Sequence, residues 1–375
     1  MSKAPTTIKV VARALLHRAA AAGQRRKPDD PKRILVAQGL RLGDTVLITP
    51  LLAKLRAQYP AAELVMTARK AIAPIYQNCT YGVEVWPYDP RDSTTVSAMP
   101  KDDGFDLAIV PGDNGPSWLA TALGARWIVA HRGDRPIYKN WPVDEFHSYP
   151  SNPTAIGEIF ADLVPGPAPR PFDPRDWPAP DYRAFVQPTS TYVVLHIGAS
   201  SPLKLWTPEN WRALADWLTA QALQVVWSGG NGEASLVAQI DPERRFTSYA
   251  GQLDLPQLWQ LIANARLMVS PDTGVAHLAR LTGTPTITLF GPGSRVLFGA
   301  GEFWRQCPCA EVMIEDFPCR DQHEVFQREI PWVRRCGRGL DECPAPRCMS
   351  AIDVASVVTA ASQLLAVEST AIAAV

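Results

Sequence analysis

The chain has 375 residues, 46% hydrophobic and 20% charged, with 37 basic side chains against 37 acidic ones. That length exceeds what one ordinary core serves and makes two domains the default. The balanced charge speaks against a nucleic-acid partner, and no run reaches the roughly 18 apolar residues of a membrane span.

Residues 1–31 form a basic arm. Lys9, Arg13, His17 and Arg18 alternate with Ile8, Val10, Val11, Leu15 and Leu16, and Gln24, Arg25, Arg26 and Lys27 follow. The pattern fits a partly ordered arm or an amphipathic helix lying on a membrane surface through residues 8–27. The continuous apolar stretch of a secretory signal is missing, so the expected location is cytoplasmic, with the inner face of the inner membrane the furthest alternative. Among seven cysteines Cys79 stands alone, whereas Cys307, Cys309, Cys319, Cys336, Cys343 and Cys348 cluster. In a cytoplasmic chain such a cluster points to metal before disulfides.

From position 33 strands and helices alternate. Arg33–Ala37 reads as a strand and Gln38–Asp44 as a turn. Thr45–Gln58 reads as one helix, with strands at Glu63–Thr67, Gly82–Trp86, Phe105–Val110 and Arg126–Ala130. This alternation implies a parallel sheet covered on both faces. Helix Thr154–Leu163 leads into a proline-rich connector, residues 165–190, which marks a domain boundary. A second set follows: strand Tyr192–Ile197, helix Thr207–Gln221 capped by Thr207 with Pro208 in its first turn, and strand Gln224–Ser228. Helix Leu255–Ala265, strand Arg266–Ser270, helix Val275–Leu281, strand Thr286–Phe290 and helix Ala351–Val367 complete it.

Several strand ends carry chemistry-bearing residues. Gly43 allows close backbone approach, and Asp44 stands at a helix start that favours its ionised form. Such a carboxylate can take a proton from a hydroxyl or serve as a plain cap. After Tyr192–Ile197 come Gly198, Ser200, Ser201 and Lys204, a set suited to phosphate or to an ordinary serine-rich surface turn. Ser228–Glu233 is a glycine-rich turn, a weak signal by itself. Pro271-Asp272-Thr273-Gly274 joins a strand to a helix and aims free N–H groups above the sheet, which suits phosphate. A carboxylate disfavours phosphate, so Asp272 is left to bind ligand hydroxyls, orient Lys204 or accept backbone N–H groups. His277, 1.4 turns further on, either reaches a phosphate or braces the loop.

These segments closely resemble glycosyltransferase family 9, the ADP-heptose:lipopolysaccharide heptosyltransferase family. The motifs are Arg33-Ile34-Leu35-Val36 with Leu42-Gly43-Asp44, Thr49-Pro50, Leu55 and Tyr59-Pro60; Gly198-Ala199-Ser200 with Lys204-x-Trp206 and Pro208-Glu209-x-Trp211; and Asp272-Thr273-Gly274. The resemblance spans residues 32–300 and part of the tail, through Cys336, Cys343-Pro344, Cys348-Met349, Ile352 and Val357. Ile197 departs from the family's usual proline, and residues 1–31 match no family pattern.

The resemblance implies an α/β GT-B fold: two Rossmann-like, doubly wound parallel-sheet domains facing a cleft. Residues 32–164 would bind the acceptor, and residues 191–350, including the cysteine-rich 307–348, the nucleotide sugar; residues 351–375 would form a C-terminal helix. It implies inverting heptosyl transfer from ADP-heptose to a hydroxyl in lipopolysaccharide core synthesis. Alternatives are a protein (autotransporter) O-heptosyltransferase, a relative using another nucleotide sugar, and a non-catalytic GT-B scaffold. A two-domain dehydrogenase would need a Gly-x-Gly-x-x-Gly after a strand, which is missing from the right place. Asp44 inherits the role of base and Lys204 that of a cation facing the leaving diphosphate. Gly43, Ser200, Ser201, Asp272, Thr273, Gly274 and His277 surround the donor, with Glu233 on the ribose and Gly251 beside the adenine. No catalytic cofactor is expected, and the chain lacks an Asp-x-Asp triplet. Related autotransporter heptosyltransferases carry a four-cysteine iron site, so Cys319, Cys336, Cys343 and Cys348 are candidate ligands for structural iron or zinc; the same cysteines can also pack as small apolar residues. Acceptors would be glycan, lipid-linked or protein. Arg69, Lys70, Arg132 and Arg135 either face an anionic core saccharide or form a solvated basic surface.

Overall fold

The computed structural model describes residues 4–20, 25–99 and 104–372. The chain divides into two units: Met1–Arg170 with Glu324–Trp332, and Pro171–His323 with Val333–Val375. Residues 21–24 of the basic arm, including Gln24, and residues 373–375 of the expected C-terminal helix lie outside the described residues.

Unit 1 runs α1 (Ala4–Ala20), β1 (Arg33–Val36), α2 (Leu42–Val46), α3 (Thr49–Gln58), β2 (Glu63–Ala68), β3 (Val83–Pro87), α4 (Ser93–Ala98), β4 (Phe105–Val110), α5 (Ser117–Ala122), β5 (Ala125–His131), β6 (Glu145–His147) and α6 (Ile156–Ala161). Its strands form one parallel sheet in the order β3-β2-β1-β4-β5-β6. Ile34, Leu35 and Val36 of central β1 are fully buried, as befits a strand covered on both faces. The single helix expected over Thr45–Gln58 is two helices. Pro50 has no N–H to return to the carbonyl of Val46, so the first helix ends there and a second begins. The short edge strand β6 has no alternating pattern and escaped the sequence reading; its three residues are all half-buried.

Unit 2 runs β7 (Tyr192–His196), α7 (Pro208–Ala220), β8 (Gln224–Ser228), α8 (Ala234–Ile240), β9 (Thr247–Ser248), α9 (Leu255–Ala263), β10 (Leu267–Pro271), α10 (Gly274–Thr282), β11 (Thr286–Phe290), α11 (Arg295–Phe298) and β12 (Cys309–Met313). After a hairpin it closes with α12 (Arg347–Ser350) and α13 (Val354–Ile372). Its sheet is parallel, in the order β12-β11-β10-β7-β8-β9. Thr207 caps α7 by accepting from the N–H of Asn210, and Trp211, Leu214, Ala215 and Leu218 bury its inner face.

Both sheets are doubly wound, and each unit's order, counted from its own first strand, is 3-2-1-4-5-6. Each unit is therefore Rossmann-like, as both domains of a GT-B fold are. The order reverses between the first and fourth strands, and ligands of such sheets bind outside the carboxyl ends there. The hairpin β13 (Glu324–Val325) and β14 (Arg328–Glu329) leaves the C-terminal half of the sequence and packs in unit 1. Its turn, Phe326-Gln327, has φ of +47° and +59°. Neither residue favours that region, and the contact of Phe326 with Phe160, ring centroids 5.9 Å apart, holds the turn in place.

Candidate active site

In unit 2 the turns after β7 and β10 flank the point of reversal. Lys204, in the short 3-10 turn Pro202–Lys204, sends its Nζ to two acceptors on the other turn. It donates to the Asp272 carbonyl at 2.7 Å and to Asp272 Oδ2 at 2.7 Å. The Asp272 side chain is 5% exposed, that of Lys204 23%. Of the tasks open to Asp272, the geometry realises the orientation of Lys204. A buried carboxylate beside the ammonium fixes that cation at a strand's carboxyl end while leaving it solvent-reachable. Gly293 makes room: a Cβ there would lie 2.4 Å from Asp272 Oδ2. His277 is buried, its Nε2 3.8 Å from Asp272 Oδ1. Burial, then Arg280 and Lys204, hold its imidazole well below the ordinary histidine range, so it is neutral. Its Nδ1 finds no partner among the described residues. Thr273 caps α10 without a side-chain bond and sets its Oγ1 3.3 Å from Ser270 Oγ. The first amides of α10, beginning at Gly274, are therefore open at its positive end.

Glu233 joins the turns after β7 and β8. Its carboxylate accepts from the N–H of Ala199 at 3.1 Å and from the N–H of Gly230. It lies directly on Gly198, where a Cβ would come within 1.7 Å of Oε2. Ser200 is exposed, and Ser201 Oγ accepts from the N–H of Leu203 as the cap of the 3-10 turn. Gly251 takes φ +73° and donates to the Gly229 carbonyl at 3.0 Å. The residues singled out in this half are thus gathered on adjacent strand ends of one sheet.

In unit 1 the turn after β1 is tied to β2: Gln38 N–H donates to Thr67 Oγ1 at 2.8 Å, and that hydroxyl donates back to the Gln38 carbonyl at 2.7 Å. The turn delivers Gly43 and Asp44 into the first turn of α2, where both are half-buried. Beside it opens a cavity of ≈750 Å³ walled by the ends of four strands, through Gly39 and Leu40, Arg69, Tyr88 and Asp113. Val10 and Val11 of α1 and Trp118 of α5 make its apolar wall. Lys139 reaches the rim, 2.7 Å from Asp113 and 3.4 Å from Asp134.

The family model for glycosyltransferase family 9 (heptosyltransferase) matches residues 174–327. Lipopolysaccharide heptosyltransferase 3 of Escherichia coli is 24% identical over an alignment of 329 residues that covers 77% of this chain and 93% of that protein. The solved ADP-heptose lipopolysaccharide heptosyltransferase II of E. coli aligns with TM-score 0.67 at 17% identity, over 90% of this chain and 99% of its own.

The match to glycosyltransferase family 9 thus lies in the C-terminal half, and the likeness to a heptosyltransferase runs over most of the chain.

This glycosyltransferase also shares its fold with the iron-containing dodecameric TibC of enterotoxigenic E. coli, at TM-score 0.56 and 15% identity over 90% of this chain and 77% of that one. The expected four-cysteine metal set is only partly gathered. Burial and the proximity of Cys319, Cys336 and Cys343 raise the Cys348 thiol, so the four share a neighbourhood. They do not converge: among the described residues no group of three or more His, Cys, Asp or Glu side chains is placed to hold a metal ion. Other bonds draw the thiols apart, Cys336 Sγ to Arg338 and Cys343 Sγ to the Ala345 carbonyl. No described helix is long and apolar enough to cross a membrane.

Two features of this glycosyltransferase carry no signal in its sequence. Gly293 follows its strand as part of an ordinary Gly-Pro-Gly turn and gives no sign that Asp272 needs the space. Arg328 sits in a segment with no periodicity, yet its side chain is 3% exposed in unit 1. It donates to the carbonyls of Gly112 and Arg132 and to Asn114 Oδ1, in the turns after β4 and β5.

Proposed function

We propose that this protein transfers a heptosyl residue from ADP-heptose, with inversion, to a hydroxyl of an acceptor in lipopolysaccharide core synthesis. The observation that carries the reading is the Lys204 ammonium held by Asp272 at the carboxyl ends of β7 and β10. Asp44 accepts the proton of the acceptor hydroxyl. That oxygen forms a bond to the anomeric carbon while the bond from carbon to diphosphate oxygen breaks, and its electron pair leaves on ADP. Lys204, the hydroxyls of Ser200 and Ser201 and the amides at Thr273 and Gly274 meet the charge that develops on the diphosphate. Asp272 acts by positioning Lys204. Glu233 exchanges its two backbone bonds for the donor ribose, Gly251 borders the adenine, and His277 supports the Asp272 turn as a neutral ring. Family and relatives support the transferase chemistry, and a 93% overlap with a lipopolysaccharide heptosyltransferase supports the acceptor class. The ≈750 Å³ cavity of unit 1 is assigned to the acceptor. Incubation of the protein with ADP-heptose and heptose-deficient core lipopolysaccharide, read by mass spectrometry, should show one added heptose. ADP-heptose left intact with every such acceptor refutes the reading.

Structural iron or zinc at Cys319, Cys336, Cys343 and Cys348 remains part of the proposal. It is supported by the chemistry of four thiols in one neighbourhood, which a cation would bind with loss of their protons. Elemental analysis of purified protein tests it, and protein free of both metals refutes it.

A further inference from the structure

Helix α1 is settled on one side and apolar on the other. Thr6, Val10 and Ala14, spaced i, i+4 and i+8, are buried, and the helix packs against α5. A helix whose core stripe is already covered carries polar residues on its outer face. Here Ile8, Ala12, Leu15 and Ala19 recur at i, i+4, i+7 and i+11 on that outer face, with Leu16 beside them. Ile8 is 69% exposed, Leu15 56% and Leu16 74%. Basic residues border this stripe, Lys9 and Arg13 along one edge and Arg18 along the other, and no acidic residue occurs in the helix.

A second apolar surface adjoins the first. Arg18 donates to the Trp141 carbonyl at 3.0 Å, which places the helix beside the turn Ile137–Asn140. On that turn Ile137 is 72% exposed and Trp141 63%. Aliphatic side chains, a tryptophan and cations bordering one surface are the composition of an interfacial membrane contact.

We propose that α1 and the Ile137–Trp141 turn dock the protein on a lipid bilayer containing anionic lipid. The charge pattern selects this occupant. A second copy docked through the same stripe would set Lys9, Arg13 and Arg18 of both chains together with no acid on the helix to pair them. An anionic lipid surface supplies the counter-charge along its whole extent. The inference stands apart from the transferase reading, since vesicle binding requires neither sugar nucleotide nor acceptor.

The test is flotation of the full chain with vesicles of phosphatidylcholine alone and with added phosphatidylglycerol. Binding should require phosphatidylglycerol and weaken with salt. Replacing Lys9, Arg13 and Arg18 together by Gln should weaken binding about 100-fold, at about 1 kcal/mol per basic residue. Ile8→Ser, Leu15→Ser and Leu16→Ser combined should abolish it with melting temperature unchanged, because all three side chains face solvent. Failure to float with phosphatidylglycerol overturns the proposal. So does equal binding by the wild type and the Gln variant, or a dimer in solution that the serine variant dissolves.

Discussion

Arg328→Ala measures how firmly the C-terminal hairpin is built into unit 1. The guanidinium donates to the carbonyls of Gly112 at 2.7 Å, Arg132 and Phe326 at 2.9 Å and His131 at 3.2 Å, and to Asn114 Oδ1 at 2.8 Å. Asp134, fully buried, lies 3.8 Å away. Truncation leaves these acceptors dry and Asp134 without its nearest guanidinium. Five hydrogen bonds at about 1 kcal/mol each come to about 5 kcal/mol. Breaking a buried ion pair independently costs about 3–5 kcal/mol. For a unit of this size 1 kcal/mol is about 2–4 °C, so the melting transition should fall by about 6–20 °C. Arg328→Lys keeps the charge but has no planar fork to meet several acceptors, and it should recover less than half of the loss. Differential scanning calorimetry of the three proteins decides the matter. A fall of less than about 2 °C in Arg328→Ala would refute the burial argument.

Asp44→Ala should lower turnover at least about 100-fold, as expected for loss of a general base, while ADP binding by calorimetry is retained; near-normal turnover would remove Asp44 from the mechanism. Lys204→Met should lower kcat about 100- to 1,000-fold, the effect of one lost electrostatic donor, and a change confined to KM would contradict its assignment to the leaving group. Stability should fall as pH drops below about 6.5. Burial holds His131 at about 3 and His196 at about 4, and His277 well below its ordinary value. Each therefore binds its proton in the unfolded chain before the folded one. Between pH 6.5 and 4 each adds a slope of up to about 1.4 kcal/mol per unit, with stability higher at the higher pH. Denaturant midpoints that stay flat from pH 7 to 5 would contradict this.

Most of the unit 2 site was readable because its chemistry is local. Lys204, Glu233, Asp272 and Thr273 each sit just after an apolar run, and a strand end in a parallel sheet is where ligands meet a fold of this class. The strands themselves were legible because β1, β7 and β10 are covered on both faces and read as continuous apolar runs. Strand β6 and the broken helix at Pro50 were harder. The first is too short for a pattern. The second has apolar spacing that continues through the break, so only the missing amide of proline interrupts it.

What the sequence by itself determined is the order of strands and helices, the residues at their ends and the family they resemble. Those follow from periodicity, turn chemistry and motif, all written within a few neighbouring residues. Only the tertiary structure decided that Asp272 grips Lys204, that Gly293 clears space for it, and that Arg328 lies in unit 1 although the segments flanking its hairpin belong to unit 2. It also decided that the outer face of α1 is apolar and uncovered while the inner one is packed. Each of these joins residues far apart in the chain, and which distant groups meet is set by the packing of whole elements, which local sequence does not record.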